Sequence, residues 1–271
     1  MFMGLVGSEM CIRDRVISVT NQKGGVGKTT TTINLAVALT LQGKSVGVID
    51  FDPQGNASTA LGLEAQERLK TTYDLLVGDS DLVSTFVKVG IEGLLLAPAT
   101  VDLSSADLVL LKKSEQVTVL KEKINAVDFN QNKLDYILID CPPSLNLLTI
   151  NALVASDSVL VPLQAEFLPL EGLSQLMLSV KEIRDTANPA LRFEGIVLTM
   201  FDKRNNLSRQ VEEDVRDNLK GLVYQSVIPR SVKLSEAPSY GKSIFDYSPR
   251  SKGAFAYKAL ALEILSRHEV N

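Results

Sequence analysis

The sequence predicts an α/β fold, a doubly wound and mostly parallel sheet with helices on both faces. Short apolar runs rich in β-branched residues alternate with longer segments of helical periodicity. Several of the short runs are continuously apolar, which is typical of parallel strands covered on both faces. A glycine-rich turn joins the first strand to the first helix, a connection common in this fold class.

The elements follow in order along the chain. The predicted strands are Val16–Thr20, Ser45–Asp50, Leu94–Ala97, Tyr136–Asp140, Ser158–Leu163, Gly195–Met200 and a weaker Tyr224–Ile228. The predicted helices are Thr29–Gln42, Ala106–Val127, Leu145–Ala155, Leu170–Thr186, Ser208–Lys220 and Gly253–His268. Gly43 is predicted to end the first helix, because glycine readily adopts the left-handed conformation of a helix C-terminus.

Composition excludes several classes of protein. The chain has 271 residues, of which 45% are hydrophobic and 22% are charged, so it is neither disordered nor collagen-like. Two cysteines, Cys11 and Cys141, cannot make a disulfide framework, and a single histidine cannot make a His-rich metal centre. No apolar run reaches the roughly 18 residues of a membrane span. We therefore expect a cytoplasmic protein.

Residues 1–15 do not resemble part of the fold. They have no clear helical or strand period, and their apolar part is too short for a signal peptide. This stretch resembles translated adaptor sequence, and a natural frayed extension is the alternative. Residues 16–271 contain no linker, repeat or low-complexity tract, and we expect them to form a single domain.

The run from Asn21 to Thr30 is the strongest functional signal. It follows the first strand and opens the first helix, so its glycines can form a nest of backbone N–H groups around a phosphate. Lys28 is expected to contact the β- and γ-phosphates of ATP, and the Thr29 hydroxyl to contact Mg²⁺. The predicted nucleotide-binding residues are Lys23, Gly24, Gly25, Val26, Gly27, Lys28, Thr29 and Thr30.

This run departs from the generic phosphate-loop pattern, because Gln22 occupies the position of its first glycine. The run Lys-Gly-Gly-Val-Gly-Lys-Thr resembles the deviant Walker A motif of the ParA/MinD group of P-loop ATPases. The resemblance implies that Lys23 reaches the nucleotide of a second subunit in an ATP-bound homodimer. Lys23 is therefore predicted to act in the manner of an arginine finger, and Lys23 and Lys28 are both predicted as catalytic residues.

Two carboxylates follow predicted strands. Asp52 lies in a run, Asp50 to Asn56, that resembles the second nucleotide-facing motif of ParA and Soj proteins. The resemblance implies that Asp52 orients the attacking water or the magnesium shell, while Asp50 is the structural partner. Asp140 ends an apolar strand and matches a Walker B carboxylate that holds Mg²⁺. Cys141 beside it has no second ligand at metal-binding spacing and is interpreted as a packing residue.

The segment from Ile228 to Gly241 is also similar to Soj proteins. The family uses the start of this segment to hold the adenine, which implies that Pro229 and Ser231 contact the base. Ser231 stands where the family commonly has Asn, so selection of adenine over guanine is less secure here. The resemblance covers Val16 to about Leu265, and four separate motifs agree with it.

The leading hypothesis is a ParA/Soj-type partition ATPase. The resemblance implies an ATP-dependent dimer that binds double-stranded DNA without sequence preference and leaves it on hydrolysis, stimulated by a ParB-like centromere-binding protein. Residues 203–258 carry 11 Lys and Arg against 6 Asp and Glu, although such an excess can arise by chance. Arg204 and Arg230 are the candidate DNA contacts. The ATP-bound form is expected on the nucleoid.

Two other classes of protein are alternatives to a partition ATPase. A MinD-like membrane-surface ATPase needs a C-terminal amphipathic helix with a basic polar face. Residues 254–270 instead mix basic and acidic residues with small alanines, which favours a core-packing helix and no membrane partner. An electron carrier of the nitrogenase iron-protein type needs two cluster cysteines per chain, and only Cys141 lies within the expected domain.

Overall fold

The computed structural model describes residues 15–112, 116–132, 134–165 and 169–270. The expectations for residues 1–14, including Cys11, lie outside this part of the chain. At a few further positions inside helices, such as 169–171, the structure describes the backbone and not the side chains.

Eight strands form a single sheet. The strands are β1 Arg15–Val19, β2 Val46–Asp50, β3 Val87–Lys88, β4 Leu94–Ala97, β5 Tyr136–Asp140, β6 Ser158–Gln164, β7 Arg192–Phe201 and β8 Val223–Pro229. Their order across the sheet is β3-β4-β2-β5-β1-β6-β7-β8. All pairs are parallel except β3 with β4. The predicted fold class is confirmed.

Thirteen α-helices are present in the described residues. They are α1 Lys28–Thr40, α2 Asn56–Ala60, α3 Thr72–Val77, α4 Leu82–Thr85, α5 Ala106–Leu110, α6 Val119–Asn125, α7 Phe129–Asn132, α8 Leu147–Ala155, α9 Pro169–Thr186, α10 Asn206–Asn218, α11 Val232–Glu236, α12 Ile244–Tyr247 and α13 Lys252–Val270. Within the described ranges, no helix has the length and apolar character needed to cross a membrane.

Helices cover both faces of the sheet because side chains alternate along each strand. In β2, Val48 packs in the same cluster as Leu35 of α1 and Leu260 of α13. Its neighbour Ile49 points to the opposite face and packs with Leu75 of α3. All five of these side chains are fully buried, and each buried aliphatic side chain contributes roughly 1.5–3 kcal/mol of transfer free energy.

Some boundaries differ from the sequence-based expectation. The single helix predicted over Ala106–Val127 is wrong, since residues 116–118 form a turn between α5 and α6. Asn151 of α8 accepts from the Leu120 N–H and donates to the Gln116 carbonyl, so tertiary hydrogen bonds replace helical ones there. β1 begins at Arg15, one residue earlier than expected, because the Arg15 N–H bonds to the Asp135 carbonyl.

The end of α1 follows the prediction for Gly43. Gly43 has a φ of 82°. Its N–H donates to the Thr40 carbonyl, and the Lys44 N–H donates to the Leu39 carbonyl. This is the hydrogen-bond pattern of a Schellman motif, which a residue with a Cβ atom would strain. The predicted C-terminal glycine is confirmed.

Candidate functional site

The site lies at the carboxyl end of the central strands. β1 neighbours both β5 and β6, and the chain continues from β1 toward β2 on one side of the sheet and later to β6 on the other. Such a reversal opens a crevice at the strand ends. Asp50 and Asp140 are register partners on β2 and β5, and Val19 of β1 also pairs with Asp140. The loop after β1 and both carboxylates therefore meet.

The loop between β1 and α1 forms an anion-binding turn. Gly25 and Gly27 have φ angles of 74° and 90°, which favour glycine. Gly27 is the N-cap of α1. The first intrahelical bond runs from the Thr31 N–H to the Gly27 carbonyl at 2.8 Å. The preceding N–H groups of the first turn therefore have no carbonyl partner within the helix, and they can bind a phosphate.

The two lysines of the loop differ in exposure. Lys28 is 7% exposed, whereas Lys23 is exposed. The Lys28 Nζ atom donates to the Lys23 carbonyl at 3.1 Å. Burial lowers the pKa of Lys28, and the charges of Asp140 and Asp52 oppose that shift. A buried cation above the loop is available to neutralise a bound phosphate.

Asp140 is fully buried and only partly satisfied. Its Oδ1 accepts from the Thr32 hydroxyl at 3.0 Å, while its Oδ2 has no hydrogen-bond partner. Burial and then the charge of Asp50 raise its pKa to about 8, in spite of the hydrogen bond from Thr32. An unsatisfied buried carboxylate oxygen is unfavourable by itself, so it indicates a missing cation or donor.

Asp50 and Asp52 have different surroundings. Asp50 Oδ2 accepts from both the N–H and the hydroxyl of Ser58, at 2.7 and 2.6 Å. Burial raises the pKa of Asp50 to about 6 in spite of these bonds. Asp52 is 8% exposed, and its Oδ1 accepts from the Gln54 N–H at 2.9 Å. Asp50 thus anchors the start of α2, as expected of a structural partner, while Asp52 lies at the strand end.

The oxygen atoms at this edge fit Mg²⁺. The predicted ligands are the Thr29 hydroxyl and the carboxylates of Asp52 and Asp140. Among these atoms, Asp140 Oδ2 has no hydrogen-bond partner, so it is available to bind a cation. No group of three or more His, Cys, Asp or Glu within the described ranges could hold a metal. Hydroxyl and carboxylate oxygens are the ligands that Mg²⁺ prefers, and Mg²⁺ commonly keeps several waters and is shared with substrate phosphates.

A pocket of about 260 Å³ lies beside the loop. It is lined by Gly27, Thr30, Thr199, Met200, Ile228, Pro229, Arg230, Ser231, Val232, Leu234, Ser235 and Tyr257. The structure thus brings the predicted base-contacting residues next to the predicted phosphate loop. The apolar walls and the size suit a planar base.

Sequence reasoning missed the three residues of this pocket that lie outside the phosphate loop and the segment 228–241. Thr199 and Met200 lie near the carboxyl end of β7, and their position near a strand end could have indicated them. Met200 also has a φ of 51°, an uncommon value for a residue with a side chain. Tyr257 comes from α13, and its hydroxyl lies 3.2 Å from that of Thr31. No local pattern indicates that a distant helix supplies this wall.

Arg204 and Arg230 lie at neighbouring strand ends. Phe201 of β7 pairs with Pro229 of β8, and the Arg230 N–H donates to the Phe201 carbonyl at 3.1 Å. The Arg204 side chain is 91% exposed and forms an ion pair with Asp202 at 3.0 Å. Hydrogen bonds from Arg204, with a smaller effect from the charge of Arg230, lower the pKa of Asp202 to about 2. The two predicted DNA contacts therefore share an acidic neighbour.

Cys141 is 1% exposed and packs in the core between the sheet and the α3–α8 face. Burial raises the pKa of its thiol to about 12, so the thiol stays protonated at neutral pH. These observations agree with its interpretation as a packing residue.

Comparison with known proteins identifies the family. A family model described as an AAA domain matches residues 14–193. The chain is 49% identical over 253 residues to the chromosome partitioning protein ParA of Caulobacter vibrioides, covering 93% of this chain and 94% of that one. It is 49% identical over 250 residues to the sporulation initiation inhibitor protein Soj of Bacillus subtilis, covering 92% and 98%.

Solved structures give the same fold. A cobyrinic acid a,c-diamide synthase from Mycobacterium smegmatis, crystallised with ADP and magnesium, has a TM-score of 0.82 and 36% identity over 96% of each chain. The cell division ATPase MinD of Pyrococcus furiosus has a TM-score of 0.77 and 29% identity, covering 94% of this chain and 100% of that one. Together with the two curated relatives, the phosphate loop and the carboxylates at the strand ends show that this chain belongs to the ParA/Soj family of partitioning ATPases.

Proposed function

We propose that the chain hydrolyses ATP with Mg²⁺, closes into a sandwich homodimer when ATP is bound, and binds double-stranded DNA without sequence preference in that state. Hydrolysis, stimulated by a ParB-like centromere-binding protein, then releases the DNA. The protein would act in the cytoplasm and lie on the nucleoid while ATP is bound, with residues 16–271 acting as one domain. The observation that carries the proposal is the convergence of phosphate loop, strand-end carboxylates and base pocket on one edge of the sheet.

Each group at this edge has a place in phosphoryl transfer. Lys28 and the N-terminal turn of α1 bind the β- and γ-phosphates, because they combine a buried cation with free backbone N–H groups. Magnesium held by Thr29, Asp52 and Asp140 would neutralise charge on these phosphates. Asp52 orients the attacking water. Its carboxylate follows the end of β2 and accepts from the Gln54 N–H, whereas the Asp50 carboxylate accepts from Ser58 and holds the start of α2.

Lys23 supports the dimer proposal by its position. Its side chain is exposed while its carbonyl is tied to Lys28, so the ammonium group is free to point away from its own loop. A lysine that leaves its own subunit can add positive charge beside the γ-phosphate of a second subunit. Closing the dimer would then complete both sites at once.

The C-terminal helix favours DNA over a membrane surface as the ligand. α13 buries Ala254, Tyr257, Leu260, Ala261 and Ile264 against the sheet and α1. Its apolar face is therefore used in the core, whereas a membrane-binding helix keeps that face available. Exposed arginines at the ends of β7 and β8 offer a cationic surface for phosphates instead.

Two variants separate nucleotide binding from turnover. Lys28→Ala should abolish binding of a fluorescent ATP analogue, because the phosphates lose their buried counter-ion. Asp52→Ala should still bind ATP but hydrolyse it at least tenfold more slowly, so that an ATP-dependent dimer persists on DNA. Light scattering after size exclusion and a DNA mobility shift, each with and without ATP, measure these states.

Wild-type affinity in Lys28→Ala, or wild-type turnover in Asp52→Ala, would contradict the proposal. A protein that binds vesicles and not DNA in the presence of ATP would favour the MinD-like alternative.

A further inference from the structure

Asn21 makes two hydrogen bonds that tie the phosphate loop to the sheet. Its side chain is 3% exposed. The Nδ2 group donates to the Pro162 carbonyl of β6 at 2.8 Å, and Oδ1 accepts from the Lys23 N–H at 3.0 Å. One buried amide therefore joins β6 to the backbone of the loop lysine.

The position of the first bond follows from the sheet. The Thr20 N–H donates to the Leu160 carbonyl, which continues the pairing of β1 with β6 beyond Val19. Bonds of a parallel ladder recur every second residue, so the next carbonyl to be satisfied on β6 is that of Pro162. The chain leaves the sheet after Thr20, and the Asn21 side chain supplies the donor in place of a backbone N–H.

The second bond begins the loop. An Asn side chain that accepts from the N–H two residues later forms an Asx turn, which fixes the direction of the backbone. The residue positioned in this way is Lys23, and its carbonyl accepts from Lys28 Nζ at 3.1 Å. A continuous path of hydrogen bonds thus runs from Pro162 through Asn21 and Lys23 to Lys28.

We propose that Asn21 is a positioning residue for both lysines of the loop. It holds the Lys23 backbone, and through the Lys23 carbonyl it holds the Lys28 ammonium group over the site before nucleotide arrives. The inference rests on the proposed function, since it assumes that these lysines serve ATP. Without Asn21, ATP must order the loop when it binds, and this cost weakens the affinity for ATP. The Lys23 backbone also loses its fixed position, so ATP hydrolysis becomes slower.

The test uses the full chain, Mg²⁺ and a fluorescent ATP analogue. We expect Asn21→Ala to weaken binding about tenfold or more, since each lost hydrogen bond corresponds to roughly a fivefold change in an equilibrium constant. Its kcat should fall as well. Asn21→Asp keeps the acceptor for Lys23 and loses the donor to Pro162, and we expect an intermediate loss. All measurements are made well below the Tm of each variant.

Asn188→Ala is the matched control. Asn188 is 5% exposed, and its Nδ2 group also donates to backbone carbonyls, those of Leu153 and Ser156, at 3.2 and 2.7 Å. It lies away from the strand ends that carry the loop, between α9 and β7. Its replacement should lower the Tm to a similar degree as Asn21→Ala and leave ATP affinity and kcat within twofold of wild type.

Three results decide the inference. Weak binding and slow turnover in Asn21→Ala with normal values in Asn188→Ala support it. If both variants lose only Tm, or if both lose ATP affinity equally, Asn21 has a structural role and the inference is wrong. If Asn21→Ala does not fold, the ATP affinity of Asn21→Asp decides in the same way. A wild-type protein that fails to bind or hydrolyse ATP would instead overturn the proposed function itself.

Discussion

Replacing Asp140 with Asn should stabilise the nucleotide-free protein while removing its response to Mg²⁺ and ATP. The carboxylate is fully buried, and its Oδ2 lacks a hydrogen-bond partner. Asparagine has the same shape and keeps an oxygen that can accept from Thr32. The substitution therefore removes a buried ionisable group without opening a cavity.

The magnitude follows from the pKa of Asp140, which burial raises from 3.8 to about 8. Because the folded pKa is the higher one, the folded state keeps Asp140 protonated at pH values where the unfolded chain ionises it, and this lowers the stability progressively as the pH rises from about 4 to about 8. At roughly 1.4 kcal/mol per unit of pKa, the penalty at pH 7 is at most about 4 kcal/mol. The amide must also be desolvated, so we expect a net gain of about 1–2 kcal/mol, or roughly 2–8 °C in Tm.

Thermal unfolding between pH 5 and pH 8, with and without Mg²⁺ and ATP, measures both effects. The Tm advantage of Asp140→Asn should grow with pH, and its Tm should not respond to Mg²⁺ with ATP. Asp135→Asn is the control, because Asp135 immediately precedes the first residue of β5, at the end of the strand opposite Asp140. Its carboxylate accepts from the Ser45 N–H at 2.7 Å. Its Tm should stay the same or fall. An unstable Asp140→Asn variant, or one that retains the full response to Mg²⁺ with ATP, would refute the argument.

Three further predictions concern other parts of the molecule. Thr199→Val removes the hydroxyl that donates to the Val26 carbonyl at 2.8 Å, and ATP affinity should fall about fivefold by fluorescence titration. Arg230→Glu should weaken binding to DNA of any sequence and flatten its log–log salt dependence by about one unit. ATP affinity is measured alongside, because Arg230 also lines the base pocket; unchanged DNA affinity and salt dependence would exclude this contact. Glu194→Gln should flatten the loss of stability in acid, measured by urea unfolding. Burial alone would raise the pKa of Glu194, but His268, Ser158 and Tyr224 lower it to about 2, so its contribution is present above about pH 4.5 and is lost as the pH falls toward 2.

The predictable part of the site is the part that local sequence determines. Gly27 and Lys28 lie next to each other in the chain, and a strand followed by glycines can make few other turns. Asp50 and Asp140 each end an apolar strand, and parallel strands bring their carboxyl ends to one edge. These features need only the strand order, which the alternation of elements already limits.

The unpredicted part depends on contacts between distant segments. Tyr257 reaches the base pocket because α13 packs on α1 and returns to the first helix of the chain. The turn at residues 116–118 exists because Asn151, on another helix, bonds to its backbone. Three short helices, α2, α3 and α4, and the two-residue strand β3 were not predicted, since elements of two to six residues give too little periodicity to detect.

The position of β1 explains why stability and nucleotide binding are linked in this fold. Its loop is tied on one side to β6 through Asn21 and to β7 through Thr199. On its other side lie the buried carboxylates of β2 and β5, one of which has an unsatisfied oxygen. Buried Lys28 lies between the two sides and donates to the loop backbone at the Lys23 carbonyl. Burial lowers the pKa of Lys28 and raises that of Asp140, so the charged form of each group is unfavourable in the protein alone. A nucleotide with its cation would satisfy both sides together. Any ligand that does so must therefore raise the free energy of unfolding, in proportion to the logarithm of its concentration over its Kd.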